Sequence, residues 1–411
     1  MRFLNITGII TEYNPLHNGH KYHITKSKEI TDADAVICVM SGSFMQRGIP
    51  AIMDKWNRTK MALANGVDLV IELPVLYSLS SAEFFSYGSI SLLNSLGLVN
   101  NICFGSECGD IKILQNIAKI LNIEPPEYKR ILISYIDKKY SFAESRSLAL
   151  KEYMSLNSNI DEPLETILKS SNNILGIEYC KSLLRLNSNI TPHTITRFGA
   201  AYNSTILENE FSSATAIRSL LKNNMDMEVL ERQLPLNVFN LITDLKAKQY
   251  PFIFEDTILP FLKYKVASSD DRLSEIPDAS EGLHNRIKKS IASCTDYNDL
   301  IHLAKSKRYA YTRISRILCQ YFVGFENFNT TSLRKEPCPY ARVLGFNATG
   351  AKILKEAKKT SSIPIYTKLP KVQNDVLKMD LQSTRVYSLL NNTIAYNSDY
   401  LVTPIISNKS E

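Results

Sequence analysis

Glu12-Tyr13-Asn14-Pro15-Leu16-His17-Asn18-Gly19-His20 is the stretch on which the reading of this chain turns. The apolar run before it, Phe3 to Ile10 with Gly8 in its interior, predicts a short buried strand, and Lys21 to Ile30 after it predicts a helix. Pro15 blocks continuation of the strand and forces a turn before His17. Strand, proline turn and His-x-Gly-His opening a helix make a cradle for a nucleotide's phosphates. Helix N-terminal amides face the anion, Gly19 admits close approach of the backbone, and His17 and His20 donate hydrogen bonds. Three of the six histidines lie between His17 and His23. Two other readings stand beside this one. His-x-x-His could bind zinc, although no further ligands at the usual spacing follow, and the histidines could simply cap the helix.

Working outward, the pattern alternates. Ala35 to Met40 reads as a strand ending in Ser41-Gly42-Ser43, and Lys55 to Asn65 as a helix stopped by Gly66. Val67 to Leu73 is the next strand, Leu79 to Leu96 a long helix ended by Gly97, and Asn101 to Phe104 a strand leading into Gly105-Ser106-Glu107. Strands separated by single helices predict βαβ units on a parallel sheet, with ligands beyond the carboxyl ends of the strands. The His-x-Gly-His turn, Ser41-Gly42-Ser43 and Gly105-Ser106-Glu107 all fall on that edge, so one pocket can collect them. Gly109 to Leu168 reads as a helical insertion broken at Pro125-Pro126, Ile174 to Leu186 as a helix, and Thr194 to Phe198 as a last strand. Ser212-Ser213-Ala214-Thr215-Ala216-Ile217-Arg218 then offers hydroxyls and free amides at a helix start, with an arginine one turn on. Read alone, that is a capped helix with a solvated arginine. Beside His-x-Gly-His it becomes a second phosphate contact.

Beyond about Leu221 the alternation is lost and helices joined by polar loops are expected, with a domain boundary near Lys222 to Met225. The expected fold class is thus α/β: a Rossmann-like parallel-sheet domain over residues 1–222, then a mainly α-helical, basic domain over 223–411. Val343 to Ala351 and Ile363-Pro364-Ile365 read as a small terminal unit, with Tyr387 to Leu390 in a last amphipathic helix. Two basic stretches stand out, Arg286-Ile287-Lys288-Lys289 and Lys305 to Arg316. In the second, Lys307, Arg308, Arg313 and Arg316 interleave with Tyr309 and Tyr311, which suits RNA phosphates and stacked bases; a solvated basic helix is the plainer reading.

Composition sets outer limits. With 411 residues, 44% hydrophobic and 22% charged, the chain has room for two or three cores. No cationic stretch followed by an apolar segment opens it, and the most apolar run, Val67 to Tyr77, is broken by Asp68, Glu72 and Pro74. A soluble cytoplasmic protein is expected, with no membrane association and no evident stable protein partner. Seven scattered cysteines without a C-x-x-C argue for reduced thiols, and no metal-ligand set is expected. The net charge of +7 is by itself a weak sign of an anionic partner.

Two phosphate-binding helix starts on one parallel sheet suggest adenylyl transfer, in which an oxyanion attacks the α-phosphate of ATP and pyrophosphate leaves. That is a positioning and electrostatic task requiring no covalent nucleophile. His17 and His20 suit it as donors, Arg197 and Arg218 as phosphate clamps, and Mg²⁺ would accompany the ATP. No G-x-x-x-x-G-K-[ST] is present, which excludes a P-loop enzyme, and no H-x-E with P-C-x-x-C, which excludes a zinc deaminase.

The pair His17-Asn18-Gly19-His20 and Ser212 to Arg218 resembles the H-x-G-H nucleotidyltransferases. The likeness narrows with residues 12–20, Met40 to Gly48, Lys55 to Leu63, Gly66 to Pro74, Phe104 to Glu107 and Asn172 to Gly176. It continues through Glu281-Gly282, Lys307-Arg308-Tyr309 and Val343 to Phe346. Together these resemble the bacterial tRNA(Met) cytidine acetate ligase family over nearly the whole chain. The resemblance implies activation of acetate with ATP to acetyl-adenylate and pyrophosphate. The acetyl group then passes to N4 of the wobble cytidine of elongator tRNA(Met). It places ATP contacts at Ile10, Thr11, Glu12, Tyr13, Asn14, Pro15, Leu16, His17, Asn18, Gly19, His20, Lys21, Tyr22 and His23, and at Gly105, Asn172 and Arg197. The wider superfamily motif adds Ser213 and Arg218. For tRNA, Lys307, Arg308, Arg313 and Arg316 are the expected contacts. Ser171 departs from the family pattern, which has proline before Asn172-Asn173. A small-molecule adenylyltransferase acting on a phosphorylated cofactor precursor, or a non-catalytic ATP-binding RNA-binding module, are the competing readings.

Overall fold

A computed structural model describes residues 4–140, 142–157, 164–197, 213–223, 227–268, 272–306 and 309–407. Seven strands come from the first half: Ile6–Thr11 (β1), Ala35–Ser41 (β2), Phe44–Met45 (β3), Ile49–Pro50 (β4), Leu69–Leu73 (β5), Asn101–Ser106 (β6) and Thr191–Thr196 (β7). Three come from the second half: Ala341–Phe346 (β8), Ile365–Tyr366 (β9) and Ile405–Ile406 (β10). The main sheet runs β10-β8-β5-β2-β1-β6-β7, with β9 also on β8, while β3 and β4 form a separate hairpin. From β5 to β7 every pairing is parallel. The chain builds outward from β1 through β2 and β5 on one side, and through β6 and β7 on the other. The switch point therefore lies between β1 and β6, where open α/β sheets place their ligands.

Alternation within the strands explains the layers. Along β2, Ala35, Ile37 and Val39 enter one core while Val36, Cys38 and Met40 enter another. A strand buried on both faces reads as a continuous apolar run, as these do. The first helix, Asn18–Thr31, starts three residues earlier than its apolar spacing suggests because His17 caps it. The helix expected from Leu79 to Leu96 is Ala82–Ser95, starting after Ser81, and a short helix, Val75–Ser78, precedes it after Pro74. Among its described residues the insertion is four helices, Ile111–Ile123, Pro126–Asp137, Phe142–Asn157 and Leu164–Lys169; Ser171–Arg185 then leads back to β7.

The second half is largely helical as far as Leu333, but Val343 to Ala351 is not a separate terminal unit. It supplies β8, which pairs antiparallel with β5, and the start of the helix Ala348–Thr360. Tyr387 to Leu390 ends the helix Asp375–Leu390, and a short helix, Ser398–Leu401, follows. The expected boundary near Lys222 falls at the end of the helix Ala214–Lys222, with residues 224–226 outside those described.

A buried charge network locks β8 onto β5. The register sets Arg342 opposite Glu72, and the two are 3.3 Å apart. Lys55, fully buried, reaches Glu72 at 2.7 Å and Asp399 at 2.8 Å, and Arg342 reaches Asp399 at 2.9 Å. Asp380 accepts from the Val75 amide at 2.6 Å and from the Tyr340 hydroxyl.

Candidate active site

Beyond the carboxyl ends of β1 and β6, a cleft is lined by the turn after β1, Gly105, the start of Ser171–Arg185, the end of β7 and the start of Ala214–Lys222. Its floor is the His-x-Gly-His turn. The Gly19 amide donates to His17 Nδ1 at 3.1 Å, and the His17 amide donates to His20 Nδ1 at 3.3 Å. The rings lie 3.8 Å apart and 31° from parallel, with Tyr13 edge-on to His20. Capping and phosphate donation are therefore not alternatives. Because both Nδ1 atoms accept from the backbone, each neutral ring carries its proton on Nε2 and has a donor to spare.

Both rings stay neutral. Burial, then the Arg197 and Arg218 charges, lower His17 to about 3, and burial, then His17, Arg197 and His23, push His20 well down. His23 is lowered to about 4, chiefly by burial, and its Nε2 is enclosed without a hydrogen-bond partner.

Three arginines line the same cleft. Arg218 donates to the Asn14 carbonyl and to Thr215 Oγ1, both at 3.0 Å, and Arg47 reaches the same hydroxyl at 3.4 Å. Arg197 donates to Asn172 Oδ1 at 3.0 Å. Asn172 is itself held by Glu107, whose carboxylate accepts from the Asn172 side chain at 2.8 Å and from the Asn173 amide at 2.8 Å. Ser213 caps its helix by accepting from the Ala216 amide. Glu12 is the one acidic residue among the described lining residues. Burial raises its pKa, opposed by the Gln46 amide, Arg47, Arg218 and Arg58. Arg58, fully buried, donates to the carbonyls of Glu12, Ser41, Gly42 and Met53, and so ties together the loops after β1 and β2.

Most expected ATP contacts line this cleft: Ile10 to Asn14, His17, Gly19, His20, Tyr22, His23, Gly105, Asn172, Arg197, Ser213 and Arg218. Four do not. Leu16 is buried in a core, Pro15 is buried in the turn, Asn18 donates to the Arg232 carbonyl at 2.9 Å, and Lys21 is exposed on the helix. Nor do Ser41 to Ser43 reach the cleft. They are buried, and the β3–β4 hairpin that follows brings Gln46 and Arg47 in their place. Sequence reading also missed Phe85 and Tyr179, which line the cleft too, whereas Thr215 lines it from within the Ser212 to Arg218 motif. For Gln46 and Arg47 the signal was in plain view, inside the segment Met40 to Gly48 whose resemblance was noted without a role.

The two basic stretches meet. Arg286 donates to the carbonyls of Leu303 and Lys305, which pins the loop carrying the second stretch. Lys307 and Arg308 lie outside the described residues. Arg313 and Arg316, expected on a basic helix face, are both part-buried. Arg313 donates to the Asp278 carbonyl at 3.0 Å, and Arg316 has its Nε enclosed, in electrostatic reach of Asp278, Arg313 and Arg334. Among the described residues of the two stretches, Lys305, Arg286 and Lys289 are the exposed cations.

This combination of switch-point cleft, capped His-x-Gly-His turn and surplus arginine defines a nucleotidyltransferase-type site. The family model described as HIGH Nucleotidyl Transferase matches residues 4–400. A tRNA(Met) cytidine acetate ligase of Clostridium novyi is 59% identical over 98% of this chain and 99% of its own. One from Clostridium kluyveri is 55% identical over 99% and 100%. Thermotoga maritima TmcAL, solved as the apo protein, superimposes with a TM-score of 0.90 at 33% identity, covering 99% of this chain and 100% of that one. The same protein bound with alpha-thio ATP gives 0.89. The chain belongs to the HIGH nucleotidyltransferase family and, within it, to the tRNA(Met) cytidine acetate ligases.

Proposed function

We propose that this protein is an ATP-dependent ligase that activates acetate and acetylates N4 of the wobble cytidine of elongator tRNA(Met), giving N4-acetylcytidine. The observation that carries the reading is the convergence of two neutral Nε2–H donors and three arginines on one cleft at the switch point. An acetate oxygen attacks the α-phosphate, the bond to the β-phosphate breaks, and acetyl-adenylate and pyrophosphate form. Charge builds on the α-phosphate oxygens and on the leaving pyrophosphate, where preorganised donors stabilise it most. His17 and His20 donate without carrying charge, and Arg47, Arg197 and Arg218 supply the positive field. The cytidine N4 amine then attacks the acetyl carbonyl, AMP leaves, and the amine gives up a proton. An anticodon loop presents unstacked bases, so its cytidine can be splayed toward the cleft while exposed cations hold the phosphates.

Mg²⁺ fits as part of the substrate. Among the described residues no cluster of three or more His, Cys, Asp or Glu side chains could hold a metal. Glu12, the one acidic lining residue, already accepts from the Gln46 amide at 2.6 Å. The ion would arrive on the triphosphate and neutralise charge there. Among the described residues no helix is long and apolar enough to cross a membrane, and we place the reaction in the cytoplasm with the tRNA.

The test is pyrophosphate release from ATP and labelled acetate, with and without tRNA. Acetate-dependent release, with label recovered in elongator tRNA(Met), is expected. Adenylyl transfer to a phosphorylated metabolite, with no label in RNA, would sink the reading.

A further inference from the structure

We infer that Tyr311 is the stacking platform for the target base at the mouth of the cleft. The inference rests on the proposed reaction and adds the residue that receives the nucleobase.

The basic stretch offers two aromatics, and the fold treats them oppositely. Tyr309 is 8% exposed, donates its hydroxyl to the Glu281 carbonyl at 3.0 Å, and carries the Arg313 guanidinium 5.5 Å from its ring centre. It is a structural residue. Tyr311 is 41% exposed and is the first residue of the helix Tyr311–Val323.

That helix is fixed against the cleft. Gly48 has a φ of +80°, and a Cβ there would fall 2.2 Å from the Arg316 amide nitrogen, so hairpin and helix backbones touch. The Cys319 thiol also donates to the Gly48 carbonyl, at 3.0 Å. Arg47, the residue before Gly48, lines the cleft. Tyr311 is about one turn upstream of this contact. Burial, then Glu255, raise the pKa of the Tyr311 hydroxyl, opposed by a hydrogen bond with Ser315 and, least, by the lining residue Arg218. An exposed ring on the helix that packs against the hairpin of the cleft suits a nucleobase held on a polyanion, since every base has a face to stack.

Stacking is lost in Tyr311→Ala and kept in Tyr311→Phe. Three measurements on the full-length protein separate the outcomes: acetate-dependent ATP–pyrophosphate exchange without RNA, acetyl transfer to elongator tRNA(Met), and thermal unfolding. In Tyr311→Ala, kcat/KM for tRNA should fall roughly tenfold to a hundredfold. Exchange and Tm should hold, and Tyr311→Phe should restore transfer. An anticodon stem-loop with pyrrolocytidine at the target position should be quenched on the wild type and on Tyr311→Phe, but not on Tyr311→Ala. Transfer and quenching unchanged in Tyr311→Ala would overturn the inference. So would a raised KM for ATP in the exchange assay, which would assign the ring to adenine. Absence of acetate-dependent exchange in the wild type would instead overturn the proposed reaction itself.

Discussion

Two regions of this molecule bury charge, and they do it in opposite ways. Between β5 and β8, Lys55 and Arg342 face Glu72 and Asp399, two cations against two carboxylates, at 2.7 to 3.3 Å. Burial pushes Asp399 up, but Lys55 and Arg342 hold it down to about 2; burial likewise opposes the charge on Arg342, and Asp399 and Glu72 sustain it. In the cleft, Arg47, Arg197 and Arg218 share the lining with one glutamate. Burial has discharged the histidines there, helped by Arg197 at both rings and by Arg218 at His17. A balanced cluster needs nothing more and serves as a clasp. A cluster in surplus is complementary to an anion that is part of the working complex, and removing its charges should cost function before it costs stability.

The sharpest test of the clasp is Lys55→Met. Removing one partner leaves the buried Glu72 and Asp399 with Arg342 as their remaining cation in the network, and such breaks cost about 3–5 kcal/mol. Chemical denaturation should show that loss as a lowered midpoint. An unchanged midpoint would mean that the network contributes no net stability.

In the cleft the order reverses. His20→Ala removes one preorganised donor and should slow adenylate formation about 10²- to 10³-fold, roughly 2.7–4 kcal/mol of barrier. His20→Asn should recover part of it, because an amide can accept from the His17 backbone and donate toward the phosphates. A His20→Ala enzyme exchanging pyrophosphate at the wild-type rate would remove the histidines from the chemistry. The neutral rings also predict that this half-reaction shows no step from His17 above pH 6, since that ring titrates near 3.

Arg47→Met should weaken ATP use in exchange about tenfold, or 1.4 kcal/mol. Its effect on unfolding should stay within about 0.5 kcal/mol, because it thins a group of like charges. A larger loss of stability than of activity would make Arg47 a strut of the hairpin.

The contrast between the regions also explains what the sequence could and could not reveal. Patterns governed by local physics were legible: the proline turn, the His-x-Gly-His helix start, and the apolar runs of β2 and β5. Alternation of single helices with strands was enough to place the cleft at one sheet edge. What escaped were features fixed by contacts distant in the chain. Nothing in Ala341 to Phe346 announces that it pairs with β5, since a strand from so distant a segment is recruited by register and by the buried partners of Arg342. Residue type marked Arg313 and Arg316 as basic-face candidates, yet the loop around Asp278 engages the Arg313 side chain and lies within reach of Arg316. Tyr309 and Tyr311 were interchangeable as letters, and only burial separates them.

The smallest effect concerns whether the clasp stays balanced. Asp380 stands beside it, and burial, then Glu72, raise its pKa to about 7. While it holds its proton the count is two against two; once ionised it adds a third carboxylate to two cations. In the unfolded chain Asp380 ionises near 3.8, so between that pH and about 7 the unfolded state gives up a proton that the folded state keeps. Its contribution to stability is therefore fully present below pH 3.8 and is lost as pH rises toward 7. Asp380→Asn cannot ionise and can still accept from the Val75 amide with its carbonyl oxygen. Relative to wild type it should be more stable at pH 8 than at pH 5, by a modest margin that Tyr340 reduces if its hydroxyl loses its acceptor. Denaturation midpoints at the two pH values decide the matter. Parallel profiles for the two proteins would mean that Asp380 is already charged in the fold, and that the clasp tolerates an imbalance it was inferred to exclude.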